Sequence, residues 1–125
     1  MDFHNFQQVK LYTFEKNNIM TLKFKTSNAT NFKNEIIKLI NDGRLSTWEI
    51  LIIDGTEYLK HTGQWGQKGV IKLTKDNNNE YLTSQVFKFD SYTGEVKDFE
   101  GYYLGRFCEL IFVNFPKNFS SIEKN

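Results

Sequence analysis

Cys108 and His61 are the residues of this chain whose types would allow a nucleophilic Cys–His pair, apart from the N-terminal His4. A catalytic thiolate needs a cationic setting and access to solvent. Cys108 falls instead on the apolar stripe of a predicted C-terminal helix, where a free cysteine behaves as a small hydrophobic residue. We therefore expect a buried, unreactive thiol, and the sequence predicts no catalytic residue.

The other chemical possibilities are a metal site and a phosphate-binding loop. Two histidines and one cysteine that stand far apart do not have the spacing of a known metal-binding motif. The loop from Gly63 to Gly69 reads GQWGQKG, but it lacks the Gly-Lys-Ser/Thr sequence that begins the helix of a P-loop. We therefore predict no metal and no cofactor, and we interpret the loop as a structural turn that presents Trp65.

Aromatic and basic residues near the C-terminal helix are better suited to binding. Tyr102, Tyr103 and Arg106 could form a stacking patch in which the arginine grips a carboxylate or phosphate of a partner or ligand. The alternative for Arg106 is an internal salt bridge to Glu109 or Glu100, or plain solvation. With the loop tryptophan and a strand histidine included, the predicted binding residues are His61, Trp65, Tyr102, Tyr103 and Arg106.

Two segments that follow Asp54-Gly55 carry a resemblance to other proteins. They are His61-Thr62-Gly63-Gln64-Trp65 and Tyr102-Tyr103-Leu104-Gly105-Arg106-Phe107-Cys108-Glu109-Leu110. In them the chain resembles a group of small uncharacterised bacterial proteins with His-Thr-x-x-Gln-Trp and Tyr-x-Gly-Arg-Phe-x-Glu segments. Here the Gln-Trp pair follows Thr62 one residue sooner, and Leu104 stands where the group has a histidine. The resemblance spans residues 48–115, implies no known activity, and argues against a shared histidine-based catalysis.

The composition indicates one folded domain over residues 1–125. The chain is 39% hydrophobic and 25% charged, near the averages of globular proteins, which argues against disorder. Its net charge of +1 argues against a dedicated binder of nucleic acid or of an anionic membrane. A single cysteine excludes an internal disulfide, and no apolar run has the length of a signal peptide or a membrane span. We therefore expect a cytoplasmic location.

The hydrophobic pattern predicts two helices and about five strands. Alternation indicates strands over 19–25, 48–53, 56–61, 70–75 and 81–89, with a further short strand near 96–99. Helical spacing indicates one helix around 32–40 and another over 102–115, where a helix is favoured over an alternating strand. Residues 1–18 are predicted as an arm or weak strand, Met20 is a possible translation start, and residues 117–125 are predicted as a frayed tail.

Asp54-Gly55 is the strongest turn signal in the chain. A two-residue type I′ turn needs positive φ at both positions, which Asp and Gly accept readily. A loop of two residues also sets the strand register. We therefore predict that Trp48 and His61 are cross-strand neighbours.

These elements predict an α+β fold, with a mostly antiparallel sheet of about five strands and two helices in a single layer on one face. Twelve Phe, six Tyr and two Trp exceed what one small core obviously needs, which fits aromatic interface anchors. We therefore expect a small non-enzymatic protein-binding domain, most concretely an immunity-type inhibitor of a bacterial toxin, with no nucleic-acid or membrane partner. The alternative is a small-ligand-binding protein or enzyme with a pocket around His61, Trp65 and Arg106. The oligomeric state stays open.

Overall fold

Alternating apolar side chains produce an antiparallel sheet, as predicted. The computed structural model describes residues 10–11 and 20–125 of the chain. Within them lie two α-helices and one six-stranded sheet, so the α+β class is confirmed, with one strand more than expected. The elements are β1 (Thr21–Lys25), α1 (Ala29–Asn41), β2 (Trp48–Ile53), β3 (Thr56–His61), β4 (Gly69–Asp76), β5 (Tyr81–Lys88), α2 (Glu100–Asn114) and β6 (Ser121–Lys124). The strand order is β2-β3-β4-β5-β1-β6, and every pair is antiparallel.

Both helices pack on one face of the sheet, around Phe24 of β1. Its ring meets Phe32 of α1 at 6.5 Å and Phe107 of α2 at 5.7 Å between centroids, and both contacts are edge to face. All three rings are buried, so these aromatic residues fill the core. The predicted single layer of helices is confirmed, and within it α2 packs on the face of the sheet.

The Asp54-Gly55 turn sets the register that positions the site. The two residues have φ values of 51° and 80°, the left-handed values that a type I′ turn requires. Trp48 lies opposite His61, as predicted. Their ring centroids are 5.2 Å apart and the planes are nearly perpendicular. The hairpin therefore brings His61 to the end of the sheet, against the ring of Trp48.

Both predicted helices form, and local signals mark their ends. Asn28 caps α1 by accepting a hydrogen bond from the backbone N–H of Asn31 at 3.0 Å. Gly43, with φ of 75°, follows the end of the helix. The helix favoured over residues 102–115 is confirmed as α2, which begins two residues earlier. An alternating strand in this segment would have buried Glu109, whereas the helix leaves it exposed.

The short strand predicted near 96–99 is wrong. Residues 96–98 form a 3-10 turn, because the side chains of Glu95 and Asp98 each accept from the other's backbone N–H. Val96 turns into the core and is buried. These reciprocal caps satisfy the backbone locally, so the segment does not need a strand partner.

The frayed tail predicted over residues 117–125 is also wrong. β6 pairs antiparallel with β1, with Ile122 opposite Phe24. The ring of Phe119 packs edge-on against Phe24, with 5.6 Å between centroids. Ladder hydrogen bonds and these apolar contacts offset the entropy lost when the C-terminal segment is ordered.

The predictions for the N-terminus fall largely outside the described residues. Of residues 1–18, only Lys10 and Leu11 are described, and Leu11 forms an isolated antiparallel bridge with Phe89. The backbone N–H of Met20 donates to the carboxylate of the buried Glu100 at 3.4 Å. A translation start at Met20 stays a prediction.

Gly105 lies in the interior of α2, and its replacement by alanine should stabilise the protein. A Cβ at this position meets open space, and the backbone is not left-handed. Glycine in a helix interior is about 1 kcal/mol less favourable than alanine, because its unfolded chain has more freedom to lose. We expect Gly105→Ala to raise the free energy of unfolding by about 1 kcal/mol in urea denaturation. A loss of stability would contradict the open space beside residue 105.

Candidate binding cleft

A cleft of about 530 Å³ opens between the end of the β2–β3 hairpin, the loop after β3 and α2. This volume lies within the range of small-ligand pockets. Its apolar lining consists of Leu45, Trp48, Trp65, Leu110 and Val113. Its other lining residues are Thr47, His61, Gly63, Gln64, Arg106, Glu109 and Asn114. Three of the predicted binding residues, His61, Trp65 and Arg106, therefore share one cleft.

His61 is held in one orientation at the wall of the cleft. Its Nδ1 accepts a hydrogen bond from the backbone N–H of Gly63 at 3.1 Å. Gly63 approaches closely, since a Cβ there would lie 2.9 Å from the ring carbon Cε1. Because Nδ1 is an acceptor, the neutral ring carries its proton on Nε2. No group among residues 10–11 and 20–125 accepts from Nε2, so this N–H is available to a ligand.

The surroundings of His61 favour the neutral ring. Burial is the main cause that lowers its pKa below the usual range, and Arg106 and Lys60 lower it further. Glu109 partly opposes this shift in pKa. At neutral pH the imidazole is therefore uncharged, and the positive charge in the lining of the cleft belongs to Arg106.

The 3-10 turn Gln64–Gln67 presents Trp65 at the edge of the cleft. The preceding Thr62 anchors the loop, because its Oγ1 donates to the carbonyl of Ser46 at 2.9 Å. The Trp65 ring stacks on Tyr102 of α2, with centroids 5.1 Å apart and planes within 6°. Tyr102 is exposed, so this stacked pair forms a rim that joins the loop to the helix.

Arg106 is exposed on α2 and paired with Glu109. Its Nη1 donates to both carboxylate oxygens, at 3.0 and 3.2 Å. The internal salt bridge to Glu109 is thus confirmed, and the alternative with Glu100 is wrong because Glu100 is buried and accepts from Met20. An exposed pair at this spacing contributes little to stability. The pair places a positive and a negative side chain together in the lining of the cleft.

Tyr103, predicted as a binding residue, belongs to the core rather than to the cleft. Its side chain is fully buried. The hydroxyl accepts from the backbone N–H of His61 and donates to the carbonyl of Gly69, both at 2.9 Å. Burial raises the pKa of Tyr103 well above its usual range. Tyr103 therefore positions the end of β3, and through it His61, without lining the cleft.

Cys108 is half-buried and does not line the cleft. Its side chain packs against the core that both helices share with the sheet. Burial raises the pKa of its thiol, which keeps the thiol protonated at neutral pH. Cys108 is therefore less buried than predicted, and the cleft does not pair it with His61.

Several residues of the cleft were not predicted as binding residues. Glu109 and Val113 stand three and seven residues after Arg106, a spacing that places them on one helix stripe. The predicted hairpin register places Trp48 next to His61, so it too carried a signal. Residues such as Leu45 carried none, because only packing between distant segments brings them to the cleft.

Possible metal ligands, the lengths of the helices and known proteins assign no function to the cleft. Among residues 10–11 and 20–125, no three His, Cys, Asp or Glu residues are grouped to hold a metal ion. No helix in that part of the chain is long and apolar enough to cross a membrane. The resemblance carried by residues 61–65 and 102–110 stays a prediction, since no protein-family model, curated protein or solved structure matches the chain.

Proposed function

We propose that the chain is a non-enzymatic protein-binding domain, whose interface is the α2 face together with the adjoining cleft. The α2 face consists of Tyr102, Arg106, Glu109 and Val113, which stand at positions i, i+4, i+7 and i+11 and form one stripe. One observation carries the proposal. Of the four exposed large hydrophobic residues in the described chain, two lie on this face, Tyr102 and Val113, and a third, Phe112, lies elsewhere on the same helix.

The order of side chains along the α2 face supports contact with a protein. Tyr, Trp and Arg are enriched at interfaces, where they act as anchors. The face has an aromatic end, where Trp65 stacks on Tyr102, and an aliphatic end at Val113, which is 76% exposed. The Arg106–Glu109 pair lies between them. Apolar anchors beside a hydrogen-bonding cleft would give a partner both affinity and orientation.

The specific form of the proposal is an immunity-type inhibitor that covers a bacterial toxin. It is supported by the small size of the domain and by the exposed side chains of Tyr102 and Val113 on the α2 face. Such an inhibitor needs a complementary surface and no reaction. The lining of the cleft fits this role, because among residues 10–11 and 20–125 it places no cysteine or serine beside His61.

Site-specific crosslinking tests this proposal. The photoreactive residue p-benzoylphenylalanine, introduced at Val113 or at Tyr102, should capture one and the same partner in cells of the producing organism. Glu57 is the matched control, because it is also exposed but lies on β3 next to the hairpin turn, away from His61. We expect no adduct from the Glu57 position.

Two outcomes would contradict the proposal: no adduct from either α2 position, or the same adduct from Glu57. An adduct of twice the mass of the chain would assign the α2 face to a second copy and would contradict it as well. Val113→Asp supplies the quantitative test with the captured partner. Affinity should fall by more than about 1 kcal/mol, while the free energy of unfolding changes by less than about 0.5 kcal/mol.

A small-ligand-binding protein or enzyme is the second candidate. It is favoured by the cleft itself, whose volume of about 530 Å³ suits a small molecule and whose lining includes His61, Trp65 and Arg106. In that case crosslinking from Val113 should capture no protein, whereas a small ligand should bind between His61 and Arg106.

A further inference from the structure

We propose that the cleft binds a carboxylate group, held by the guanidinium of Arg106 and by the Nε2–H of His61. The inference deepens the proposed function and rests on it only for the source of the carboxylate, which is an acidic side chain or the C-terminus of the partner protein. The two donors come from different elements of the cleft, because Arg106 belongs to α2 and His61 ends β3.

His61 is a preorganised donor. The backbone N–H of Gly63 occupies Nδ1, and the ring of Trp48 packs edge-on against the imidazole at 5.2 Å between centroids. The hydroxyl of Tyr103 accepts a hydrogen bond from the backbone N–H of His61. The ring therefore points its Nε2–H in one direction before a ligand arrives, which reduces the entropy that binding must overcome.

Arg106 contributes the positive charge and a matching geometry. Glu109 occupies its Nη1, but a guanidinium has five N–H donors in a planar fork. No other group in the described part of the chain accepts from the remaining donors. A carboxylate accepts two parallel hydrogen bonds from such a fork, so it can bind where the salt bridge leaves donors open.

The charge balance of the cleft favours a carboxylate over a phosphate. Arg106 carries one positive charge, Glu109 carries one negative charge, and His61 is neutral for the reasons given above. The Glu109 side chain is 63% exposed, so it can release Arg106 and remain solvated. A phosphate group would bring nearly two negative charges to a cleft where, among the described lining residues, Arg106 is the one cation.

The rest of the lining indicates hydrocarbon next to the carboxylate. Trp48, Leu110 and Val113 present apolar surface to a cleft that is much larger than one carboxylate needs. Burial of apolar surface against these side chains adds affinity without changing the charge balance. Benzoate combines both features and is therefore a suitable probe.

Titration of the full chain with benzoate tests the proposal. Binding is followed by NMR through the indole N–H signals of Trp48 and Trp65 and the ring signals of His61. Benzamide is a neutral control of nearly the same shape, and inorganic phosphate is the anion of higher charge. We expect saturable shifts with benzoate at millimolar concentrations, and binding weaker by about tenfold or more, about 1.4 kcal/mol, for benzamide and for phosphate.

Variants assign the donors. Arg106→Gln should weaken benzoate binding by about tenfold or more, because it removes hydrogen bonds to a charged group. Arg44→Gln is the matched control, since Arg44 is exposed and does not line the cleft. Glu109→Gln should strengthen binding, because it removes the carboxylate that competes for Arg106. His61→Phe should weaken binding while it preserves an aromatic ring against Trp48.

The pKa of His61, measured with and without benzoate, distinguishes contact with the ligand from a purely structural role. In the free protein, Arg106 and Lys60 lower the pKa of His61, and Glu109 raises it. A bound carboxylate should raise this pKa, because a negative charge favours the imidazolium. By linkage, benzoate should then bind more tightly as the pH falls through the pKa of His61. Arg106 stays charged over this range, whereas protonation of Glu109 would also tighten binding, so the part of the pH dependence that is lost in His61→Phe reports on His61.

Any of four results would overturn the proposal. They are equal affinities for benzoate and benzamide, tighter binding of phosphate than of benzoate, no binding of benzoate, and equal losses of affinity in Arg106→Gln and Arg44→Gln. If benzoate binds, N-acetylphenylalanine and N-acetylglutamate α-amide distinguish a chain terminus from an acidic side chain as the source. Crosslinking from Val113 that succeeds while benzoate fails would refute the carboxylate site and leave the protein-binding function intact. Benzoate binding without any crosslink would refute that function alone.

Discussion

Gly66→Ala should destabilise the domain by about 3 kcal/mol or more, the upper range for a group forced into filled space. A Cβ at residue 66 would overlap the carbonyl oxygen of His61 and lie 2.7 Å from its carbonyl carbon. These atoms belong to the backbone at the end of β3, so they cannot turn aside as a flexible side chain would. Either the loop or the strand end must move, and both belong to the cleft.

Urea denaturation of the Gly66→Ala variant measures this effect, and Gly105→Ala is its control. The two substitutions add the same methyl group, but the space beside Gly105 is open. We therefore expect opposite signs for the two changes in the free energy of unfolding. If the free energy of unfolding of Gly66→Ala lies within about 0.5 kcal/mol of that of the native chain, the close approach of the loop to His61 is wrong.

Tyr103→Phe should lower the free energy of unfolding by about 2–4 kcal/mol. The lost hydroxyl is fully buried and satisfies two backbone groups, the N–H of His61 and the carbonyl of Gly69. Without it both groups lose their partner where water cannot readily replace it, and each unsatisfied group costs about 1–3 kcal/mol. The ring itself is retained, so the change isolates the hydrogen bonds from the packing.

Tyr102→Phe is the matched control, because it removes the same hydroxyl from the neighbouring residue. Tyr102 is 67% exposed, so the free energy of unfolding should change by less than about 0.5 kcal/mol in Tyr102→Phe. Hydrogen exchange of the His61 amide gives a local measurement alongside urea denaturation. Its exchange should accelerate in Tyr103→Phe and stay unchanged in Tyr102→Phe. Equal stabilities of the two variants would mean that the buried hydroxyl does not hold β3.

This contrast also separates positioning from binding. Tyr103 ties the end of β3 to β4 and to α2, so its loss should disturb the orientation of His61 without removing a ligand contact. Tyr102 instead supports Trp65 at the rim of the cleft. Tyr102→Ala should therefore weaken binding to a partner while stability is largely kept, the reverse of the result expected for Tyr103→Phe.

Local sequence signals were sufficient for the elements that carry the site. Asp54-Gly55 accepts positive φ at both positions, so the turn length, and with it the pairing of Trp48 with His61, could be predicted without the rest of the chain. The apolar period over 102–115 likewise predicted α2, because the strand alternative would have buried Glu109. Both predictions depend on interactions between residues close in sequence.

Only the tertiary structure decided where the site lies and which residues belong to it. Tyr102 and Tyr103 are adjacent and chemically alike, yet β3 and β4 supply hydrogen-bond partners to Tyr103 alone. The pairing of β6 with β1 joins two segments that are far apart in the sequence, and no local pattern specifies it. The cleft forms only when α2 packs against the end of the hairpin, because the elements that carry His61 and Arg106 are separated in sequence by β4 and β5 and meet through the shared core. Such long-range packing depends on the summed shape and burial of many side chains, which spacing along the chain does not encode.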